Sequence, residues 1–188
     1  MNESQKLSQN AADYLSVYRD ILEHMIGGMT EAHLTNSISH NFIVQMIPHH
    51  RAAIEMCENL LRYTDNKRLT EIARNIISEQ TESISNMENI LGRCSRLENS
   101  RRDVCLYQKC FWDAAQKMFS QMESACASNN IDVTFMLEMI PHHKGAIKMS
   151  ENALHFDICP GLRPILDSII ISQRRGVCEM EALLHNIS

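Results

Sequence analysis

Residues 42–61 and 135–154 are identical at 12 of 20 positions without a gap. Each stretch carries the same five letters, Met46-Ile47-Pro48-His49-His50 and Met139-Ile140-Pro141-His142-His143. The offset of 93 residues persists outside that core: Tyr14 answers Tyr107, Asp20 answers Asp113, Asn36 answers Asn129, Gln80 answers Gln173 and Leu91 answers Leu184. A chain that repeats itself at a fixed offset is built from two copies of one unit. The first copy spans about 14–91 and the second about 107–184, with the polar segment Ser95 to Asp103 as connector. The whole length, 1–188, is the size of a single domain.

Within each copy the apolar residues recur at helical spacing. Tyr14, Val17, Tyr18, Ile21, Leu22, Met25 and Met29 fall three and four apart, predicting a helix from Ala11 to about Leu34 that Gly27-Gly28 weakens near its end. A second helix is expected to start at Ser39 as N-cap and end near Tyr63, before the turn chemistry of Thr64-Asp65-Asn66. A third runs from about Lys67 to Arg93. In the second copy Asp132 takes the place of Ser39 as N-cap. Glycine and proline are scarce, at 6 and 4, and no hairpin turn separates alternating strands. The fold class is therefore all-α. Two three-helix units packed face to face make a four-helix bundle with two accessory helices.

The duplication also sorts the chemistry. Ten of 12 methionines fall into repeat-related pairs, and no cysteine pairs with a cysteine. On a helical wheel Met46, His49, His50, Ala53 and Met56 share one face, His49 and Met56 about 20° apart. Gln80 and Met87 share a stripe of the next helix, two turns apart. The second copy offers Met139, His142, His143 and Met149, with Gln173 and Met180 on the matching stripe. Thioether and neutral imidazole are donors that suit a soft ion, Cu(I) and by extension Ag(I), whereas iron and manganese in helical bundles want carboxylates. These ten Met and His residues are the candidate metal ligands. Gln80 and Gln173 are expected to hold an imidazole tautomer through the ring nitrogen that faces away from the metal. Zinc is the competing ion, but few carboxylates or paired thiols share the face.

Pro48 and Pro141 lie inside the expected helices, which predicts a kink before each His pair; the rival is that each helix starts at its proline. A weaker stripe, Met25, Met29 and His33 with Met118, Met122 and Cys126, reads as core packing. Glu58, Glu151, Glu88 and Glu181 point away from the ligand face and read as solvated, and Cys57 reads as a buried thiol.

Bulk properties exclude several classes of partner. The net charge is −5 and no stripe of Lys or Arg is present, which argues against nucleic acid. No apolar run approaches the roughly 20 residues needed to cross a membrane. The polar start, Met1 to Lys6, lacks the apolar region of a secretory signal, and seven cysteines at irregular spacing suit reduced thiols. The expectation is a cytoplasmic protein, unless an export signal has been trimmed away.

The string Phe-x-x-x-Met-Ile-Pro-His-His-x-x-Ala-Ile-x-Met, followed by an Ile-rich helix with Gln and Met seven apart, resembles the DUF305 family over roughly 36–91 and 129–184. The resemblance implies a ferritin-like four-helix bundle, and copper binding or copper resistance through Met and His as in some relatives. It touches Met46, His49, His50, Met56 and Met87 and their partners Met139, His142, His143, Met149 and Met180. The sequence departs from the family where a Glu usually follows the Gln by three residues: Ser83 and Gly176 stand there. That weakens a hard-metal reading further. The expected role is copper storage, buffering or resistance rather than catalysis. Two other classes stay open: a ferritin-like metal-dependent oxidoreductase, and a metal-free helical scaffold.

Overall fold

The computed structural model describes residues 6–187, so most of the polar start lies outside the described residues. Among the described residues six helices follow one another: α1 (Gln9–Thr30), α2 (Ile38–Leu60), α3 (Lys67–Cys94), α4 (Arg101–Glu123), α5 (Ile131–Ala153) and α6 (Arg163–Ile187). No strand occurs among the described residues. Helices α2, α3, α6 and α5 pack in that cyclic order, while α1 lies on α2 and α4 lies on α5.

Side-chain caps set the helix starts. Ser8, Asn66 and Ser100 each accept a backbone N–H from three residues on, satisfying one of the donors that a helix start leaves unpaired. For α2 and α5 the caps are Ser37 and Asn130, two residues before the expected Ser39 and Asp132. Ser39 has another partner: buried inside the first turn of α2, its hydroxyl accepts the N–H of Cys159. Asp132 remains in the first turn of α5, where a carboxylate complements the helix dipole.

Central position explains the character of α2 and α5. Both bury residues around most of their circumference, His and Met included, as an interior helix must. By contrast α3 buries one stripe, Leu69, Ile72, Ala73, Ile76, Gln80 and Met87. Pro48 and Pro141 both sit inside continuous helices, which removes the reading in which the helix starts at the proline. Gly28 has a use beyond weakening α1: a Cβ there would fall 2.7 Å from the Pro48 Cβ, so α1 approaches α2 closely only because position 28 is bare.

Equivalent positions of the two halves repeat each other's bonds. Asn59 donates to the Tyr14 carbonyl and Asn152 to the Tyr107 carbonyl, each at 3.0 Å. Arg51 pairs with Glu88 as Lys144 pairs with Glu181, on the exposed surface. The connector is pinned by Asn99, whose side chain accepts from Ile38 N–H and donates to the Asp157 carbonyl, so it touches both halves.

One expectation is corrected here. Cys94 at the end of α3 and Cys159 in the α5–α6 loop form a disulfide, so the thiols are not all reduced. The two cysteines are not repeat equivalents and only the tertiary fold brings them together. Cys57 is buried, as expected, and burial pushes its thiol well up.

Candidate metal centre

The register of α2 and α5 turns both His pairs inward. His49 and His142, equivalent residues of the two halves, stack on one another with ring centroids 3.7 Å apart and planes 30° apart. His50 and His143 flank them, at 5.8 Å from His49 and 6.0 Å from His142 respectively. All four rings are at most 2% exposed. The pair repeated in sequence is thus one cluster in space.

Few of the ring nitrogens find partners. The Nε2–H of His142 donates to the His49 carbonyl at 3.1 Å, because a carbonyl can only accept. That tautomer leaves the lone pair on His142 Nδ1, which has no hydrogen-bond partner in the protein. His50 Nε2 lies 3.0 Å from the Ser83 hydroxyl, and His50 Nδ1 is unpaired. Both nitrogens of His49 and the Nδ1 of His143 are unpaired as well. A buried polar atom without a partner costs about 1–3 kcal/mol, so five such nitrogens in one place are an expensive arrangement.

Electrostatics keep the cluster neutral. Burial, followed by the neighbouring imidazoles, pulls His49 and His143 well below the usual range for histidine. Burial pulls His142 down to about 4 and, with the nearby His142, His50 to about 3. Neutral imidazole is the form that ligates metals.

The methionines occupy the same core. Met46, Met56, Met87, Met139, Met149 and Met180 are all at most 1% exposed. By helical register Met46 and Met139 lie one turn before His49 and His142, and Met56 and Met149 two turns after them. On α3, Met87 follows Ser83 by one turn; on α6, Met180 follows Gly176 in the same way. Among the described residues no three His, Cys, Asp or Glu side chains gather in a metal-binding arrangement. The stripe of Met25, Met29, Met118 and Met122 is core packing, and His33 and Cys126 lie exposed beyond the ends of their helices.

The two glutamines do not bond to imidazole. Gln80 and Gln173 are buried, and the Oε1 of each is unpaired. Ser83, three residues beyond Gln80, reaches His50 instead. Its counterpart Gly176 lies against His143: a Cβ there would be 2.8 Å from Cδ2 and 2.9 Å from Nε2.

One buried group escaped the sequence reading. Glu138, 1% exposed, accepts a 2.6 Å hydrogen bond from the Tyr14 hydroxyl, and burial pushes its carboxyl up to about 8. Its signal was a charged residue replacing Gln45 of the first repeat within an otherwise apolar stretch. In the first half, Gln45 accepts from Gln108 and the Tyr107 hydroxyl has no partner.

These features define a class: an all-helical bundle of two equivalent three-helix halves, with a neutral imidazole cluster buried where they meet. The family model of the domain of unknown function DUF305 matches residues 21–91 and 39–184. The chain belongs to the DUF305 family. Solved structures similar to it include CopM in an Ag-bound form obtained by soaking, at 27% identity and TM-score 0.60, covering 79% of this chain and 95% of that one. CopM in the Cu(II)-bound form is 26% identical with TM-score 0.60, covering 79% and 97%. A DUF305 fragment from Deinococcus radiodurans shares the fold, at 22% identity and TM-score 0.58, covering 79% and 96%. No curated protein matches the sequence significantly.

Proposed function

We propose that this protein binds a soft metal ion, copper in the Cu(I) state, for storage, buffering or resistance. The observation that carries the reading is the cluster of four buried, neutral imidazoles whose Nδ1 atoms all lack a partner. A cation accepting the lone pair of an unprotonated ring nitrogen there would relieve part of the cost of burying it. The donors fit a soft ion better than zinc, since among the described residues no three His, Cys, Asp or Glu side chains are arranged to hold one ion, and buried thioethers supply what imidazole does not. Met46, His49, His50, Met56 and Met87, with Met139, His142, His143, Met149 and Met180, are the proposed ligand pool. Silver- and copper-bound forms of CopM support the same choice of metal class. Burial of every ring suits holding an ion more than turning over a substrate, and the one buried carboxyl among the described residues, Glu138, is engaged by Tyr14.

The test is a Cu(I) titration of the reduced, metal-free protein against a competing chelator, for the parent and for His49→Ala/His142→Ala. Tight binding by the parent and at least about 100-fold weaker binding by the variant, about 3 kcal/mol, is the expected result. Equal, weak binding by both, with helix content intact, would refute it.

A further inference from the structure

Four rings at most 2% exposed need a path to solvent if an ion is to reach them. A cleft between α3 and α6 supplies one. Of the four histidines only His50 lines it, and it shares the lining with Gln80 and Gln173, one from each half of the molecule. Both glutamines are at most 3% exposed, and both Oε1 atoms lack a hydrogen-bond partner. Two repeat-equivalent amide oxygens, buried and unpaired in the one cleft that a cluster histidine also lines, are suited to replacing a cation's hydration water before nitrogen and sulfur take over.

The mouth of the cleft has the matching charge. Glu79, Glu82 and Asp167 line it against a single guanidinium, Arg175, which is already paired with Glu79 across the opening. With Arg175 and Glu79 paired, Glu82 and Asp167 leave the recess net negative, and a net negative recess concentrates cations. On the other half the α6 backbone at Gly176 closes over His143, and His143 does not line the cleft. The halves are alike in sequence, but this cleft opens toward one of them.

We infer that the α3–α6 cleft is the route by which a soft monovalent cation reaches the imidazole cluster, with the Gln80 and Gln173 amide oxygens forming a transient oxygen site at its floor. The inference rests on the metal-binding reading, and its test separates rate from affinity. The metal-free, reduced protein is mixed rapidly with Ag(I) in nitrate buffer, quenched with a chelator after set intervals, and assayed for bound silver. Ser168→Trp places a bulky ring on an exposed position of the cleft wall, and Ser85→Trp places the same ring on an exposed position of α3 outside it. Gln80→Leu/Gln173→Leu removes the oxygens at near-constant volume.

Ser168→Trp and the leucine pair should load at least tenfold more slowly than the parent, with equilibrium affinity within threefold, while Ser85→Trp loads at the parental rate. Parental loading rates in both test variants, at parental affinity, overturn the route alone. A parent that binds no Ag(I) at equilibrium overturns the binding reading and the route with it.

Discussion

The imidazole cluster sets how the stability of the metal-free protein depends on pH. All four rings have folded pKa values below the unfolded one of about 6.5, so the native state refuses protons that the unfolded chain accepts. Their contribution is fully present above about pH 6.5 and is lost as pH falls. Between pH 8 and 5.5 each unfolded imidazole gains about 1.4 kcal/mol by protonation, so four rings together remove about 6 kcal/mol. Glu138 works in the opposite direction. Its carboxyl is raised from 4.5 to about 8, so its contribution is present at low pH and lost as pH rises through about 8. Going from pH 8 to 5.5 it restores about 3 kcal/mol. Glu151, held low by Lys148, responds only below this window.

The parent should therefore be about 3 kcal/mol less stable at pH 5.5 than at pH 8, a large share of the 5–15 kcal/mol typical of a domain. Glu138→Gln, which copies the Gln45 of the other half, removes the offset and should deepen the loss to about 6 kcal/mol. Urea denaturation at both pH values, extrapolated to water for parent and variant, measures both quantities. If Glu138→Gln were equally stable at pH 5.5 and 8, the rings would not be held neutral, and the reasoning would fail.

Other outcomes follow from single contacts. Because the rings are neutral before metal arrives, Ag(I) affinity by competition titration should change less than threefold between pH 7.5 and 5.5; an unshifted imidazole would lose about tenfold per ring. Gly176→Ala should destabilise by about 1 kcal/mol, overpacking against His143 outweighing the gain in helix propensity, whereas Gly27→Ala, with nothing within 4 Å of its Cβ, should stabilise by up to about 1 kcal/mol. Denaturant midpoints for the two variants give opposite signs if the packing at His143 is as described. Cys159→Ser opens a covalent link across 65 residues, and loop-closure entropy puts the loss at about 4 kcal/mol. Reductant should lower the melting temperature of the parent and leave that of the variant unchanged.

The helices and the inward face of the His pairs were legible because both depend on spacing, which the repeat states twice. What the sequence concealed depends on contacts between elements. Ser37 and Ser39 are equally good caps by type; in the fold Ser37 caps α2, while the Ser39 hydroxyl accepts the Cys159 amide from another element. Gln80 sits on the stripe that periodicity assigns to it, yet the approach of α3 to α2 delivers the Ser83 hydroxyl to His50. Gly28 read as a weakness because its neighbour Pro48 is 20 residues away on another helix. Cys94 and Cys159 break the repeat, so the comparison of copies that singled out Met and His passed over them. Glu138 was passed over the same way: it differs from its counterpart Gln45, and it is burial that makes it a second titrating centre.

The bond between Cys94 and Cys159 also bears on how many molecules make one bundle. Two tandem repeats joined by a short connector can, in principle, exchange partners, the first half of one chain closing on the second half of another. In this chain the end of the first half is covalently tied to the α5–α6 loop of the second. Once oxidised within one chain, the halves cannot part to trade places. Oxidation thus fixes parentage: the two His pairs that stack in the core belong to the same molecule, and the imidazole cluster is kept from becoming a property of a swapped dimer.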